Sequence, residues 1–264
     1  MRVKTNEEID EKIIDIINKK NENIDILVKN ITEEIEIFEY NKKDIFVSAS
    51  IIKIPIMLSI LNEVAKDNIK LNTIIKIKEE DILSDNECLQ HGVLEYKIDD
   101  LITWMITKSC NSSTNILIKY LGFEKINKYC KDIGLKNTKL ERYMDDEEAI
   151  KNGKNNYTNL EDMCKCFELM LNKEILTDDI CDIALNYLYN QKINNQLPRY
   201  LNNVRFAHKT GGLDYLNSDV GIFELNGQIY FIGISVYNTP KIEGDRQVVG
   251  KLSEMVYKYL KNER

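Results

Sequence analysis

Strand patterns lie near both ends of this 264-residue chain, and helical patterns fill the long interval between them. Segments in which apolar residues alternate with polar ones, or that are rich in β-branched and aromatic residues, predict strands. The candidate strands are NIDILVKN and EEIEIFEY near the N-terminus, and VRFAHKTGG, SDVGIFEL and QIYFIGISVY in the last third. Asn226-Gly227 predicts a hairpin turn between the last two. One shared sheet lets strands from both chain ends bury their apolar faces.

Apolar residues recur with helical spacing through the interval between the strands. Ser50 is expected to open an apolar helix that runs to about Ala65. Further helical segments up to about residue 192 are KIDDLITWMITK, STNILIKYLG, EKINKYCKDIG, NLEDMCKCFELMLN and TDDICDIALNYLYNQ. Gly122 and Gly134 stand where C-terminal caps are expected. Helices with one apolar face are also predicted at the two chain ends, from Ile9, Ile13, Ile16 and Ile17 and from Val248, Leu252, Met255, Val256 and Tyr259.

This order of elements predicts an α/β (α+β) fold. An antiparallel sheet is expected to be flanked by the N- and C-terminal helices, with an all-helical lobe inserted between its strands. The chain is expected to form a single domain over residues 1–264, since this length suits one large domain. Its α/β lobe would cover about residues 1–60 and 193–264, and its helical lobe about residues 61–192.

Composition and charge exclude several classes of function. The net charge is −7, and without a basic block a nucleic-acid partner is not expected. No window approaches the ~18 continuous apolar residues of a membrane span. The six cysteines are scattered without a C-x-x-C pair and the chain has two histidines, so a metal site is not expected. Reduced thiols, as in a cytoplasm, are the expectation for such cysteines.

The stretch SASIIKIPIML, which begins at Ser48, places a lysine inside an otherwise apolar run. A lysine is seldom buried unless it is paired or functional. One interpretation keeps Lys53 at the rim of the core, with its stem packed and its ammonium in water. The other places Ser50 and Lys53 on one helix face, at positions i and i+3. A desolvated amine of lowered pKa could then take the proton of the serine hydroxyl and make it a nucleophile.

Two further motifs combine polar side chains with unusual positions. Ser109-Cys110-Asn111 lies between two helical segments, where a short turn can point side chains into a cleft. Capping of the following helix by Ser109 or Asn111 is the alternative interpretation. Lys209-Thr210-Gly211-Gly212 places a charge and two glycines on a predicted inner strand. Glycine in a strand often marks the close approach of a ligand or of another backbone.

The ordered motifs S-x-x-K, S-x-N and K-T-G resemble those of the penicillin-recognising serine hydrolases, the class A β-lactamases and penicillin-binding proteins. The resemblance covers nearly the whole chain. It implies a β-lactamase-like fold with one catalytic domain, no metal and no cofactor. It also implies that Ser50 is the acylating nucleophile, that Lys53 is the base beside it, and that Ser109 passes a proton to the leaving nitrogen.

The same resemblance implies how the substrate would be held. Asn111 would bind the substrate amide. Lys209 and Thr210 would bind the carboxylate that β-lactams and peptidyl-D-alanine both carry. The backbone N–H of Gly212, which follows Gly211 in the strand, would form the oxyanion hole together with the N–H of the nucleophile.

Residues 135–158, the omega-loop segment, depart from the family pattern. The family has an arginine, an aromatic residue and then a glutamate, which activates the water that frees the acyl-enzyme. This chain has Arg142 and Tyr143 followed by Met144, and then Asp145 and Asp146. Since a thioether cannot accept a proton from water, deacylation is expected to be slow and to show a burst. Rapid turnover is expected only if one of the two aspartates has taken over as base.

Two single positions and the N-terminus also differ from the family. Cys110 stands where class A enzymes usually have aspartate, and Asn156 where an aspartate is expected to pair with Arg142. Relatives act outside the membrane, whereas the sequence as written begins with no secretory signal. A cytoplasmic protein is therefore expected as written, and an extracytoplasmic one if a signal has been trimmed.

The resemblance implies a serine β-lactamase-type hydrolase that opens β-lactam amides through an acyl-enzyme on Ser50. One alternative is a D-alanyl-D-alanine peptidase or another amide or ester hydrolase on the same site. A second is a penicillin-binding module that becomes acylated and stays so. The expected ligand in each case is a small β-lactam or acyl-D-alanine-like molecule, and the expected oligomeric state is a monomer.

Overall fold

The elements follow one another along the chain in the predicted order. The computed structural model describes Ile13 and residues 23–84, 88–237 and 242–262. The predicted N-terminal helix lies outside these ranges, apart from Ile13, which is helical and buried. None of the described helices combines the length and the apolar character needed to cross a membrane.

The strands and helices are numbered in chain order. The strands are β1 (Asn23–Asn30), β2 (Ile35–Tyr40), β3 (Phe46–Val47), β4 (Ile74–Lys76), β5 (Glu95–Lys97), β6 (Tyr157–Thr158), β7 (Phe206–Leu213), β8 (Leu216–Leu225) and β9 (Gln228–Tyr237). The α-helices are α1 (Lys53–Ala65), α2 (Ile98–Thr107), α3 (Asn111–Leu121), α4 (Phe123–Asp132), α5 (Glu147–Lys151), α6 (Leu160–Leu171), α7 (Asp178–Tyr189) and α8 (Ile242–Asn262). Short 3₁₀ segments are Ala49–Ile52 and Glu79–Asp81.

Strands from the two ends of the chain form one five-stranded antiparallel sheet in the order β2-β1-β9-β8-β7. The strands that come first and last in the sequence, β1 and β9, pair directly in the middle of the sheet, so that Asn23 lies opposite Tyr237. Asn226 and Gly227 have positive φ angles of 54° and 76° in the turn between β8 and β9, as the hairpin pattern predicts. The small pairs β3 with β6 and β4 with β5 were not predicted, because strands of two or three residues carry too little pattern.

Each face of the sheet buries its own hydrophobic cluster. On one face, Phe223 and Val28 pack with α8 residues such as Leu252. On the other, Leu27 and Phe231 belong to a cluster that includes the buried faces of α1, α2, α6 and α7. Leu27 and Val28 are neighbours in β1 and serve opposite clusters, since successive strand residues point to opposite faces. The inserted helices therefore share a core with the sheet.

The apolar run at Ser48 forms the 3₁₀ segment followed by α1. Ser50 lies in the 3₁₀ segment, and the α-helix begins at Lys53 and ends at Ala65, where the sequence predicts its end. Every residue from 51 to 61 is buried. Burial on all sides is typical of a central helix, and it explains why this segment is apolar at nearly every position.

Candidate active site

The residue before Ser50 holds a strained backbone. Ala49 is buried and has φ 43°, in the left-handed region that costs a non-glycine residue about 1–2 kcal/mol. Strain of this kind persists only where the surrounding structure enforces it, and it clusters at functional sites. Ser50 follows it at a half-buried position, in the 3₁₀ segment one turn before Lys53.

Lys53 is completely buried, so the interpretation that it lies at the rim of the core is wrong. Its Nζ donates to the Ser109 carbonyl oxygen at 2.7 Å and to Asn111 Oδ1 at 2.6 Å. The Ser109 Oγ lies 3.2 Å from the same nitrogen. These oxygens compensate for the loss of water around the amine. The first two motifs, more than fifty residues apart, therefore meet at one nitrogen.

The Ser109 hydroxyl lies between two buried amines. Lys209 Nζ donates to Ser109 Oγ at 3.0 Å and to the Thr210 carbonyl oxygen at 2.8 Å. Burial, together with the charge of Lys53, lowers the pKa of Lys209 well below its ordinary value. A hydroxyl oxygen can accept from both amines and still donate its own proton. The geometry therefore suits Ser109 to transfer protons.

Asn111 starts α3, but neither it nor Ser109 caps that helix, so the capping alternative is wrong. Cys110 is the N-cap, and its Sγ accepts from the Ser113 N–H at 3.5 Å. The amide group of the Asn111 side chain instead forms hydrogen bonds with two other residues. Its Oδ1 accepts from Lys53, and its Nδ2 donates to Asp145 Oδ2 at 2.7 Å.

The K-T-G strand approaches the segment that carries Ser50 very closely. A Cβ atom on Gly211 would lie 3.2 Å from the Ser48 carbonyl oxygen and 3.3 Å from the Ile51 nitrogen. A side chain at this position would push against the backbone of the neighbouring segment, so glycine favours the close approach of the two. Thr210 is buried in β7, and Gly212 is exposed at the edge of the cleft.

The base of the omega-loop segment is closed by Asn156 in a way that the sequence did not predict. Its Oδ1 accepts from the N–H groups of Glu141 and Arg142 at 2.8 and 3.1 Å, and its Nδ2 donates to the Arg142 carbonyl at 3.1 Å. The Arg142 guanidinium donates to Asn155 Oδ1 and to the Tyr143 carbonyl. An amide supplies both a donor and acceptors to the backbone, which a carboxylate cannot do.

The three residues after Tyr143 differ in their burial and in their hydrogen-bond partners. Met144 is buried, and its backbone is fixed at both ends by Asn115, which accepts from its N–H at 2.7 Å and donates to its carbonyl at 3.1 Å. Asp145 has φ 60° and turns its carboxylate to Asn111. Asp146 caps α5 by accepting from the Ala149 N–H at 2.9 Å. The structure thus brings only the first of these two aspartates into contact with the predicted site.

Two sets of polar residues around the site were not predicted from the sequence. Asn115 lies four residues after Asn111, hence on the same face of α3, and this spacing could have identified it. His208 lies directly before Lys209 and is buried, with Nδ1 at 2.9 Å from Asp219 Oδ1 and Nε2 at 3.0 Å from Asn194 Oδ1. No local pattern indicates that His208 and Asp219 pair, because their contact depends on the register of β7 against β8.

A model of the β-lactamase enzyme family matches residues 8–260, nearly the whole chain. The chain belongs to the β-lactamase enzyme family. Beta-lactamase VEB-1 of Pseudomonas aeruginosa is similar to this family member at 23% identity, over 95% of this chain and 90% of that protein. Among solved structures, a representative class A β-lactamase from Bacteroides cellulosilyticus superposes with a TM-score of 0.88 at 21% identity, over 99% of this chain and 100% of that one.

A second kind of solved structure is as similar to this β-lactamase family member. The structure called PBP-A superposes with a TM-score of 0.86 at 23% identity, over 98% of both chains. The predicted β-lactamase-like fold, with its antiparallel sheet and inserted helices, is confirmed by these likenesses. At such identities these likenesses show the fold alone.

Proposed function

We propose that this member of the β-lactamase family is a serine hydrolase that opens β-lactam amides through an acyl-enzyme on Ser50. One observation carries the proposal. A single hydroxyl, that of Ser109, lies within hydrogen-bond distance of two completely buried amines, Lys53 and Lys209. Burying two amines is costly unless hydrogen bonds compensate, and here both amines bond to the same hydroxyl. The segment that holds Ser50 lies one helical turn from the first of them.

Acylation then moves one proton along this group. Lys53, once it has released one proton to solvent, takes the proton of the Ser50 hydroxyl as the oxygen attacks the carbonyl carbon of the β-lactam. The carbon–nitrogen bond of the ring breaks, and the nitrogen takes its proton from Ser109. Ser109 regains a proton from Lys53, which leaves that amine neutral and Ser50 esterified.

The proposed substrate contacts explain the other motif residues. The carboxylate of the substrate is bound by Lys209 and Thr210, and the Asn111 amide binds the acylamino group. The N–H groups of Ser50 and Gly212 form the oxyanion hole, where loss of one donor typically costs about 3–4 kcal/mol. All of these residues belong to one chain, which supports a monomer as the functional unit.

A protein that becomes acylated and remains so is the second candidate function. The observation that favours it is Met144, whose thioether stands where the resemblance leads us to expect a glutamate. One of the similar solved structures is an acyl-enzyme complex of a PBP-A mutant with penicillin G. Steady hydrolysis supports the hydrolase, whereas one bound equivalent without turnover supports the second candidate.

The test is covalent labelling with a fluorescent penicillin, followed by electrophoresis and intact mass. We expect wild-type protein to gain one penicilloyl group and Ser50→Ala to gain none. Ser59→Ala is the matched control, because Ser59 is buried in α1 and donates to the Pro55 carbonyl within its own helix. Labelling that persists in Ser50→Ala contradicts the proposal.

A further inference from the structure

We propose that Asp145 is the general base that activates the water for deacylation, and that Asn111 holds its carboxylate in position. The inference rests on the proposed function, because it concerns the second half of the same reaction. The family resemblance leads one to expect a glutamate at position 144, and here the carboxylate comes from the next residue. Three structural features distinguish Asp145 from neighbouring carboxylates of the omega-loop segment.

The first ground is the backbone. The two hydrogen bonds from Asn115 fix the peptide groups on either side of Met144. The chain then turns through Asp145 with φ 60°, a left-handed conformation that aspartate tolerates better than most residues. This turn directs the side chain toward α3 and away from the short helix α5. A strained residue held by such anchors is typical of a functional position.

The second ground is a path of hydrogen bonds from Lys53, the amine one helical turn after Ser50. Lys53 Nζ lies 2.6 Å from Asn111 Oδ1, and Asn111 Nδ2 lies 2.7 Å from Asp145 Oδ2. One amide therefore separates the carboxylate from the amine beside Ser50. Asp145 is exposed, so water has access to this residue.

The third ground is that neighbouring carboxylates are engaged elsewhere. Asp146 accepts from the Ala149 N–H as the N-cap of α5. Glu141 forms an ion pair with Lys139 at 2.6 Å. Glu147, inside α5, lies 3.7 Å from Lys151 on the same helix. Unlike these three carboxylates, that of Asp145 combines a hydrogen bond to Asn111 with access to water.

Deacylation by this route conserves atoms and charge. The Asp145 carboxylate takes a proton from water, and the water oxygen forms a bond with the carbonyl carbon of the acyl group on Ser50. The bond from that carbon to the Ser50 oxygen breaks, and the proton taken from water is returned to the Ser50 oxygen. The products are the free acid and the restored hydroxyl, and the Asp145 carboxylate is ionised again.

The experiment compares Asp145→Asn with Asp146→Asn, the same chemical change one residue further on. Both amides keep an oxygen acceptor, so the bond from Asn111 and the cap of α5 can persist. Acylation by a penicillin is followed by stopped flow, and the acyl-enzyme is followed by intact mass. For Asp145→Asn we expect acylation within a few-fold of wild type and deacylation slower by about 10²- to 10⁴-fold. One equivalent of acyl-enzyme should then accumulate, whereas Asp146→Asn should turn over like wild type.

A third variant separates chemistry from structure. Asp145→Glu keeps a carboxylate and should turn over measurably faster than Asp145→Asn. If Asp145 had only a structural role, the longer side chain would not restore turnover. Rapid acylation combined with unchanged turnover in Asp145→Asn would overturn this inference alone. So would a wild-type protein that acylates and never deacylates. If no variant, including wild type, forms a Ser50 adduct, the proposed function itself has failed.

Discussion

At the scale of single residues, three of the nine described non-glycine residues with positive φ lie at the site. Ala49, Ser109 and Asp145 are non-glycine residues with φ of 43°, 57° and 60°, and each lies in or beside the cluster around Lys53. A side chain in this conformation costs about 1–2 kcal/mol per residue. The surrounding bonds therefore hold the reactive groups in a geometry that the chain would not adopt locally. Such preorganisation is a requirement for the chemistry proposed above.

Asp25, a buried residue of β1, provides a prediction about stability and pH. Burial raises the pKa of this carboxyl from 3.8 to about 7, and the charge of Asp44 adds to the rise. Between these pH values the folded protein binds a proton that the unfolded chain has released, so stability should fall as pH rises through the window. Tyr237 donates to Asp25 Oδ1 at 3.3 Å and can donate equally to an amide oxygen.

Asp25→Asn should therefore stabilise the protein, by about 2 kcal/mol at pH 5 and about 4 kcal/mol at pH 8, since each pKa unit corresponds to about 1.4 kcal/mol. Urea unfolding at several pH values measures this difference. Asp67→Asn is the control, because Asp67 is exposed in the turn after α1, outside the sheet that carries Asp25, and its removal should change stability little. A stabilisation that does not grow with pH would contradict the assignment of the raised pKa.

At the scale of elements, the conformation of the omega-loop segment depends mainly on the contacts that join its two ends, because it contains little secondary structure. It contains only α5 and β6, and its ends are joined where Lys139 pairs with Tyr157. Asn156 makes three hydrogen bonds to the loop backbone from a position that is 1% exposed. The position of Asp145 therefore depends on a residue eleven positions further along the chain.

Asn156→Ala should lower the free energy of unfolding by about 2–4 kcal/mol, because buried backbone groups lose their partners. It should also increase hydrogen exchange between residues 139 and 157 and slow deacylation more than acylation. Asn152→Ala is the matched control, since Asn152 is exposed in the same segment. Unfolding of Asn156→Ala at the urea concentration of wild type would contradict this role.

At the scale of the whole molecule, the inserted helices share one hydrophobic cluster with a face of the sheet. The cluster that contains Leu101 and Met105 of α2 also contains Leu27 of β1 and Phe231 of β9. The strands in turn carry the second cluster on their opposite face. Opening the helices would expose one whole face of the sheet. Because the two parts share this cluster, we expect the chain to unfold as one cooperative unit, and the single domain stays a prediction.

The single tryptophan, Trp104, allows this cooperativity to be measured. It lies in α2, with its ring 5.6 Å from that of Tyr96, and reports on the helical part of the molecule. Far-ultraviolet circular dichroism reports on all helices and strands together. We expect the two urea transitions to coincide within error. A fluorescence transition at clearly lower urea would show that the helical lobe unfolds separately.

The sequence by itself determined the elements and the chemistry available to them. Alternation in NIDILVKN and helical spacing in KIDDLITWMITK reflect which side of an element is buried, and each is legible within a dozen residues. The spacing of Ser50 and Lys53 is equally local, because residues i and i+3 share a helix face. The resemblance carried by the three motifs then indicated the family, which the match over residues 8–260 confirmed.

Only the tertiary structure decided which of these groups meet. Lys53 and Asn111 are 58 residues apart, and Ser109 and Lys209 are 100 apart, so their contacts depend on how helices and strands pack. Asp145 and Asp146 are identical side chains in adjacent positions, and no sequence pattern distinguishes them. One faces Asn111 and the other caps a helix because the backbone turns left-handed between Met144 and α5. That turn is enforced by the distant residues Asn115 and Asn156, and local propensity alone would not produce it.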